Sequence, residues 1–138
     1  MPKLLTKVMQ EGQPQADPCD FTDLSRNDLT ETAVTLQELR DRCDRYKTYL
    51  ASLQPPQGDI MIRAANFTTE SVLRMIGHSP DSPFIRVYYG IGDDGRHLLF
   101  LAPVQQAGVL AKGDNTIYVD DCCACPPIRN CPGDELLG

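Results

Sequence analysis

Apolar residues recur every seven positions through the second quarter of the chain. Leu29, Leu36, Cys43 and Leu50 form one series, and Thr32, Leu39, Tyr46 and Leu53 form a second, offset by three. A stripe of this period is the a/d seam of an amphipathic helix, with a polar Thr at one d position. The pattern predicts one long helix over residues 27–54. Asp28 is its expected N-cap, with Glu31 three residues on, because side-chain oxygens there satisfy N–H groups that a first turn leaves open. Glu38–Arg42 and Asp41–Arg45 are spaced to pair across a turn, acid first. Pro55-Pro56 ends the run, since proline disfavours helix in the residue before it and supplies no donor. At 1.5 Å per residue about 26 helical residues span roughly 39 Å, more than a small core requires. The stripe of Leu29, Leu36, Leu39, Cys43, Tyr46, Leu50 and Leu53 therefore has two candidate uses: packing on the chain's own sheet, or meeting another chain.

After Gly58 the period changes. Ile60-Met61-Ile62-Arg63-Ala64 reads as a short strand with Ile60 and Ile62 on one face. Thr68 is an expected N-cap, with Phe67 and Val72 as a hydrophobic staple. The short helix that follows is expected to turn Val72, Leu73 and Ile76 inward and to end at Gly77 in a left-handed conformation. Phe84–Tyr89 is a strand rich in aromatic and β-branched residues. Gly92-Asp93-Asp94-Gly95 is its turn, and His97–Val104 is the returning arm, with Pro103 at an edge or strand end. A last strand, Thr116–Val119, follows the Gly113-Asp114-Asn115 turn. Residues 1–26 hold a short helix and a polar linker with two prolines, and residues 121–138 read as an irregular tail. The organisation expected is 1–26 segment and linker, 27–54 long helix, 58–120 α+β core and 121–138 Cys/Pro-rich tail. The fold class expected is α+β: a long N-terminal amphipathic helix plus a small, mostly antiparallel sheet with one short helix.

Composition narrows the partners. The 138 residues fit one domain. Thirteen Lys and Arg against nineteen Asp and Glu leave a net charge of −6. That balance repels phosphate backbones and anionic lipid, so neither nucleic acid nor membrane is expected as a partner. No stretch approaches the ~20 apolar residues of a membrane span, and the N-terminus lacks an export-type apolar run. A cytoplasmic location follows as the expectation, with reduced thiols rather than disulfides.

Ile85-Arg86-Val87-Tyr88-Tyr89-Gly90, the Asp93-Asp94-Gly95 turn, Leu98–Val104 and the Cys125-Pro126-Pro127 tail together resemble small uncharacterised proteins of Bacteroidota bacteria. The resemblance covers roughly residues 60–131. It implies a cytoplasmic bacterial protein with an α+β core, and it carries no catalytic residues over. The heptad stripe and the doubled Cys122-Cys123 have no counterpart in it.

Four of the six cysteines crowd the end of the chain: Cys122, Cys123, Cys125 and Cys131. Cys122-x-x-Cys125 has the spacing at which a turn brings two thiolates to one tetrahedral face, so these four are the candidate zinc ligands. Cys123, Cys43, Cys19, His78 and His97 all remain open as the fourth ligand beside Cys122, Cys125 and Cys131. Crowding into one segment, rather than two spaced pairs, favours a metal-free tail that docks through Pro126, Pro127 and Ile128. Zinc is thus the one candidate cofactor, and none is expected. Gly90-Ile91-Gly92-x-x-Gly95 has the outline of a phosphate loop but sits in a hairpin with no following helix. Asp93-Asp94 and Asp120-Asp121 lack the rest of a calcium loop. His78 and His97 read as surface residues. No catalytic residues are expected. The function expected is a non-catalytic interaction or assembly protein, self-associating or binding a protein partner through the long helix. The alternative is a small metal- or thiol-binding protein using the C-terminal cysteines.

Overall fold

Strand pairing claims the start of the heptad pattern. The computed structural model describes residues 1–7, 28–121, 123–126 and 133–137. Strands Lys3–Lys7 (β1) and Leu29–Ala33 (β2) run antiparallel, with Lys3 opposite Ala33 and Lys7 opposite Leu29. The first residues are therefore strand rather than short helix, and the helix that follows (α1, Leu36–Ser52) has 17 residues. This corrects the expected fold class: among the described residues there is no long N-terminal helix. Two α-helices accompany six strands, which form two-stranded antiparallel sheets among the described residues. The physical reason lies in residues 30–35, where Thr30, Thr32, Val34 and Thr35 are β-branched and stiff at χ1. They extend against β1, and Val34 N–H continues the pairing to Pro2 O at 3.0 Å.

The cap is Thr35 rather than Asp28. Thr35 Oγ1 accepts from Glu38 N–H at 3.1 Å, while the Glu38 carboxylate accepts from Thr35 N–H at 2.9 Å, a reciprocal capping box. This occupies Glu38, and Asp41 is engaged by Gln37 Nε2 at 2.8 Å. The ion pair found along α1 is Arg40–Asp44 at 3.5 Å, not the two expected pairs. The helix stops before Pro55-Pro56, where the backbone is already extended at Leu53.

The strand expected at Ile60–Ala64 lies further on. Ile60 and Met61 form turns on Gln57 O, and Ala64–Asn66 (β3) pairs antiparallel with Cys123–Cys125 (β6). Part of the expected tail thus belongs to the fold, with Ala124 buried. Helix α2 (Thr69–Gly77) starts at Thr68, whose hydroxyl accepts from Ser71 N–H at 3.2 Å. Its inward residue is Met75, 0% exposed against Leu101 and Val119, with Phe67, Val72 and Ile117 packed around them. Leu73 and Ile76, expected inward, are exposed. Apolar residues at 72, 73, 75 and 76 surround most of this short helix, so its period leaves open which arc meets the sheet. Gly77 keeps an ordinary φ, and the helix ends on a right-handed His78.

Strands Phe84–Ile91 (β4) and His97–Val104 (β5) form the longest pairing, from Phe84 opposite Val104 to Ile91 opposite His97. Tyr88 stacks on Phe100 with ring centroids 5.0 Å apart. Residues 101–104 are buried, Pro103 among them, because β5 is the interior strand. The expected strand at Thr116–Val119 is reduced to one bridge, where Leu101 and Val119 exchange hydrogen bonds of 2.8 and 3.0 Å. In the hairpin turn Gly95 has φ +82°, and an added Cβ would meet nothing within 4 Å. Gly95→Val is therefore expected to destabilise by backbone strain alone, about 1–2 kcal/mol. Urea unfolding should show Gly95→Asn less damaging than Gly95→Val; equal stability of all three proteins would refute the assignment.

Candidate functional site

Burial along α1 is least at its first turn and complete near its C-terminal end. Leu50 is fully buried, Leu39, Cys43, Tyr46 and Leu53 are half-buried, and Leu36 is exposed. Leu29 lies on β2, exposed and outside the helix. The seven residues of the expected stripe are thus divided between a strand, an open helix surface and a packed one.

Between α1 and the segment leading into β3 lies a cavity of about 190 Å³, lined by Arg42, Cys43, Tyr46, Arg63 and Leu137. Arg63 is fixed at both ends. Its N–H donates to Cys125 O at 2.8 Å, and its guanidinium donates to Leu137 O at 2.7 Å. Burial, then the neighbouring Tyr89 and Tyr49 hydroxyls, raises the Tyr46 pKa, so this phenol stays a neutral donor. No family model, curated protein or solved structure matches this chain. The site is therefore read from its own chemistry.

Beside the cavity, the Tyr89 hydroxyl gathers three groups. It accepts from Ile62 N–H at 3.1 Å, lies 2.7 Å from His97 Nδ1 and donates to Met61 Sδ at 3.7 Å. The Tyr89 and His97 rings meet edge-on at 5.4 Å. His97, expected on the surface, is half-buried and ties the 61–62 segment to the hairpin. His78 instead turns back on its helix, with Nδ1 2.9 Å from Arg74 O.

On β4 the alternate residues Ile85, Val87, Tyr89 and Ile91 share one face, and their exposure runs from 44% at Tyr89 to 65% at Ile91. The register places Leu101 on this same face, opposite Val87. Helix α2 packs on β5 there, while these four β4 residues stay exposed. The core face therefore continues onto β4, where only Tyr89 is tied to another segment by a hydrogen bond among the described residues. The alternation was visible in the sequence, but which face α2 would cover was not.

The cysteines divide as well. Cys43 and Cys123 are free thiols, whereas Cys125 is disulfide-bonded. That corrects the expectation of reduced thiols throughout, and in this form Cys125 has no thiolate to offer zinc. Cys19, Cys122 and Cys131, with Pro127, Ile128 and the 12–18 linker, lie outside the described residues. Among the described residues no three potential metal ligands cluster, and no helix is long and apolar enough to cross a membrane.

Asp121, dismissed from sequence as a calcium ligand, closes over the start of α2. Its carboxylate accepts from Thr68 Oγ1 at 2.7 Å, Ser71 Oγ at 2.8 Å and Thr68 N–H at 3.3 Å. The hydrogen bonds from Thr68 and then Ser71 hold its pKa below the ordinary carboxylate value. A depressed folded-state pKa stabilises the fold above the unfolded-state value, and that contribution is lost as pH falls through the folded one. The melting-temperature gap between wild type and Asp121→Ala should therefore be full near neutral pH and close on acidification below about pH 4. A gap independent of pH would show that the carboxylate's charge contributes nothing.

Proposed function

We propose that this protein is a non-catalytic assembly protein that associates with a second copy of itself by strand addition along the outer edge of β4. The supporting observation is the exposed row Ile85, Val87, Tyr89 and Ile91 on a strand whose described pairing is with β5 on one side. An edge strand offers unpaired backbone groups to another strand, and an apolar row beside them supplies area to bury. The strand is also compatible with itself. Directly opposed residues of antiparallel strands point to the same face, so two copies centred on Val87 set Ile85 of each opposite Tyr89 of the other. Arg86, the one charge in the strand, then meets Tyr88 rather than its own copy.

Sedimentation velocity over a range of concentrations tests the reading. The expected result is a shift to twice the chain mass as concentration rises, and a monomer throughout would overturn it. Leu36→Ser with Leu39→Ser, one exposed and one half-buried side chain of the first half of α1, is the comparison variant. If that pair dissociates the dimer and β4 substitutions do not, the helix is the docking surface instead.

A further inference from the structure

We infer that the cavity between α1 and β3 is a binding site for a small dianion carrying phosphate or carboxylate oxygens. The inference is independent of the β4 edge. Two guanidinium groups, a phenol and a thiol line the cavity, with no carboxylate among the described lining residues. Guanidinium groups can only donate hydrogen bonds, and the Tyr46 phenol adds one O–H donor. A ligand that only accepts completes such a set, and an oxyanion is the strongest acceptor available to paired guanidinium groups.

Neither arginine makes an ion pair with a described residue. Arg63 is half-buried, and its side-chain hydrogen bond goes to the carbonyl of Leu137, which carries no charge to balance it. Arg42 makes no ion pair with a described residue, since Glu38 closes the cap and Asp41 is engaged by Gln37. Leaving a partly buried cation without a counter-charge is costly, and a bound anion removes that cost. Arg42 comes from α1 and Arg63 from the approach to β3, so the fold, not sequence proximity, brings two positive charges to one small space in a chain of net charge −6.

Size sets the class of ligand. A cavity of about 190 Å³ has room for a small ligand of a few heavy atoms. That suits inorganic phosphate or a short dicarboxylate and is well short of the ~300–1,000 Å³ typical of larger ligands. Glu38 and Asp41 lie on the other side of Arg42, where they line a separate open groove with Arg45. Arg45 is therefore the control position.

Isothermal titration of the full chain with inorganic phosphate and, separately, with succinate, in chloride at fixed ionic strength, tests the site. One saturable site for either probe is expected, and the stronger of the two identifies the source of the oxyanion. Arg42→Gln and Arg63→Gln should each weaken it roughly tenfold or more, as loss of a charge-assisted hydrogen bond does. Arg45→Gln should stay within about twofold of wild type. Saturating probe should also slow alkylation of Cys43 by iodoacetamide, read by peptide mass, while Cys123 labels at an unchanged rate. If Arg63→Gln does not fold, Arg42→Gln carries the test, because that side chain is exposed on α1. Absence of saturable binding by both probes, binding that survives the arginine substitutions, or unaltered Cys43 labelling would each overturn the inference.

Discussion

Val87→Lys is expected to leave the protein folded and monomeric. Val87 is 57% exposed at the middle of β4, so the substitution costs little contact within the chain. In the proposed dimer the same residue sits on the two-fold axis and is buried from both copies. Losing that burial twice, at about 1.5–3 kcal/mol for each valine, amounts to about 3–6 kcal/mol, or roughly 10²–10⁴-fold in the dissociation constant. Two opposed lysines add repulsion at the same point. Sedimentation velocity should show the mass of one chain at concentrations where wild type is dimeric, with an unchanged far-ultraviolet circular dichroism spectrum. A dimer of wild-type affinity would remove β4 from the interface.

The largest loss of stability is expected from Met75→Ala. Met75 is 0% exposed and packs with Leu101 and Val119 where α2 meets β5. Truncating a buried side chain of this size costs about 2–5 kcal/mol, counting the transfer term and the cavity left behind. A domain of this size has about 5–15 kcal/mol in total, so the variant should unfold at a much lower urea concentration. Leu73→Ala, two residues earlier on the same helix but 61% exposed, should cost about 0.5 kcal/mol or less. Similar midpoints for the two variants would mean that α2 is rotated differently on the sheet.

These two helix positions also show what pattern alone could not tell. Nothing in the order Val72-Leu73-Arg74-Met75-Ile76 ranks Met75 above Leu73, because a short helix with apolar residues on most sides has no single apolar face. The heptad series misled for a related reason. Leu29 and Thr32 fit helical a and d positions, yet the β-branched residues around them are equally fit for a strand, and the partner strand lies far away at Lys3–Lys7. A capping box was written in the sequence at Thr35-Leu36-Gln37-Glu38, the same signal as the one read at Asp28. It was obscured by a periodic series that ran through it. The candidate oxyanion site was less legible still. Arg42 read as an ion-pair partner of Glu38, and Arg63 only as a charge near the end of an apolar run.

Features with local causes were legible along the chain. The β4–β5 hairpin follows from alternation on both arms and a glycine able to take positive φ, the start of α2 from the Thr68 hydroxyl, and the end of α1 from two prolines. Each involves groups a few residues apart, so the energetic preference is present in the short segment itself. Only the tertiary structure decided the features that join distant segments. It assigned Leu29–Ala33 to a strand, drew Cys123–Cys125 into the fold beside Ala64–Asn66, turned Met75 inward and brought Arg42 to the same cavity as Arg63. In each of these the local options are close in free energy. The choice falls to contacts that exist only after the chain has closed on itself, which no periodicity along the sequence records.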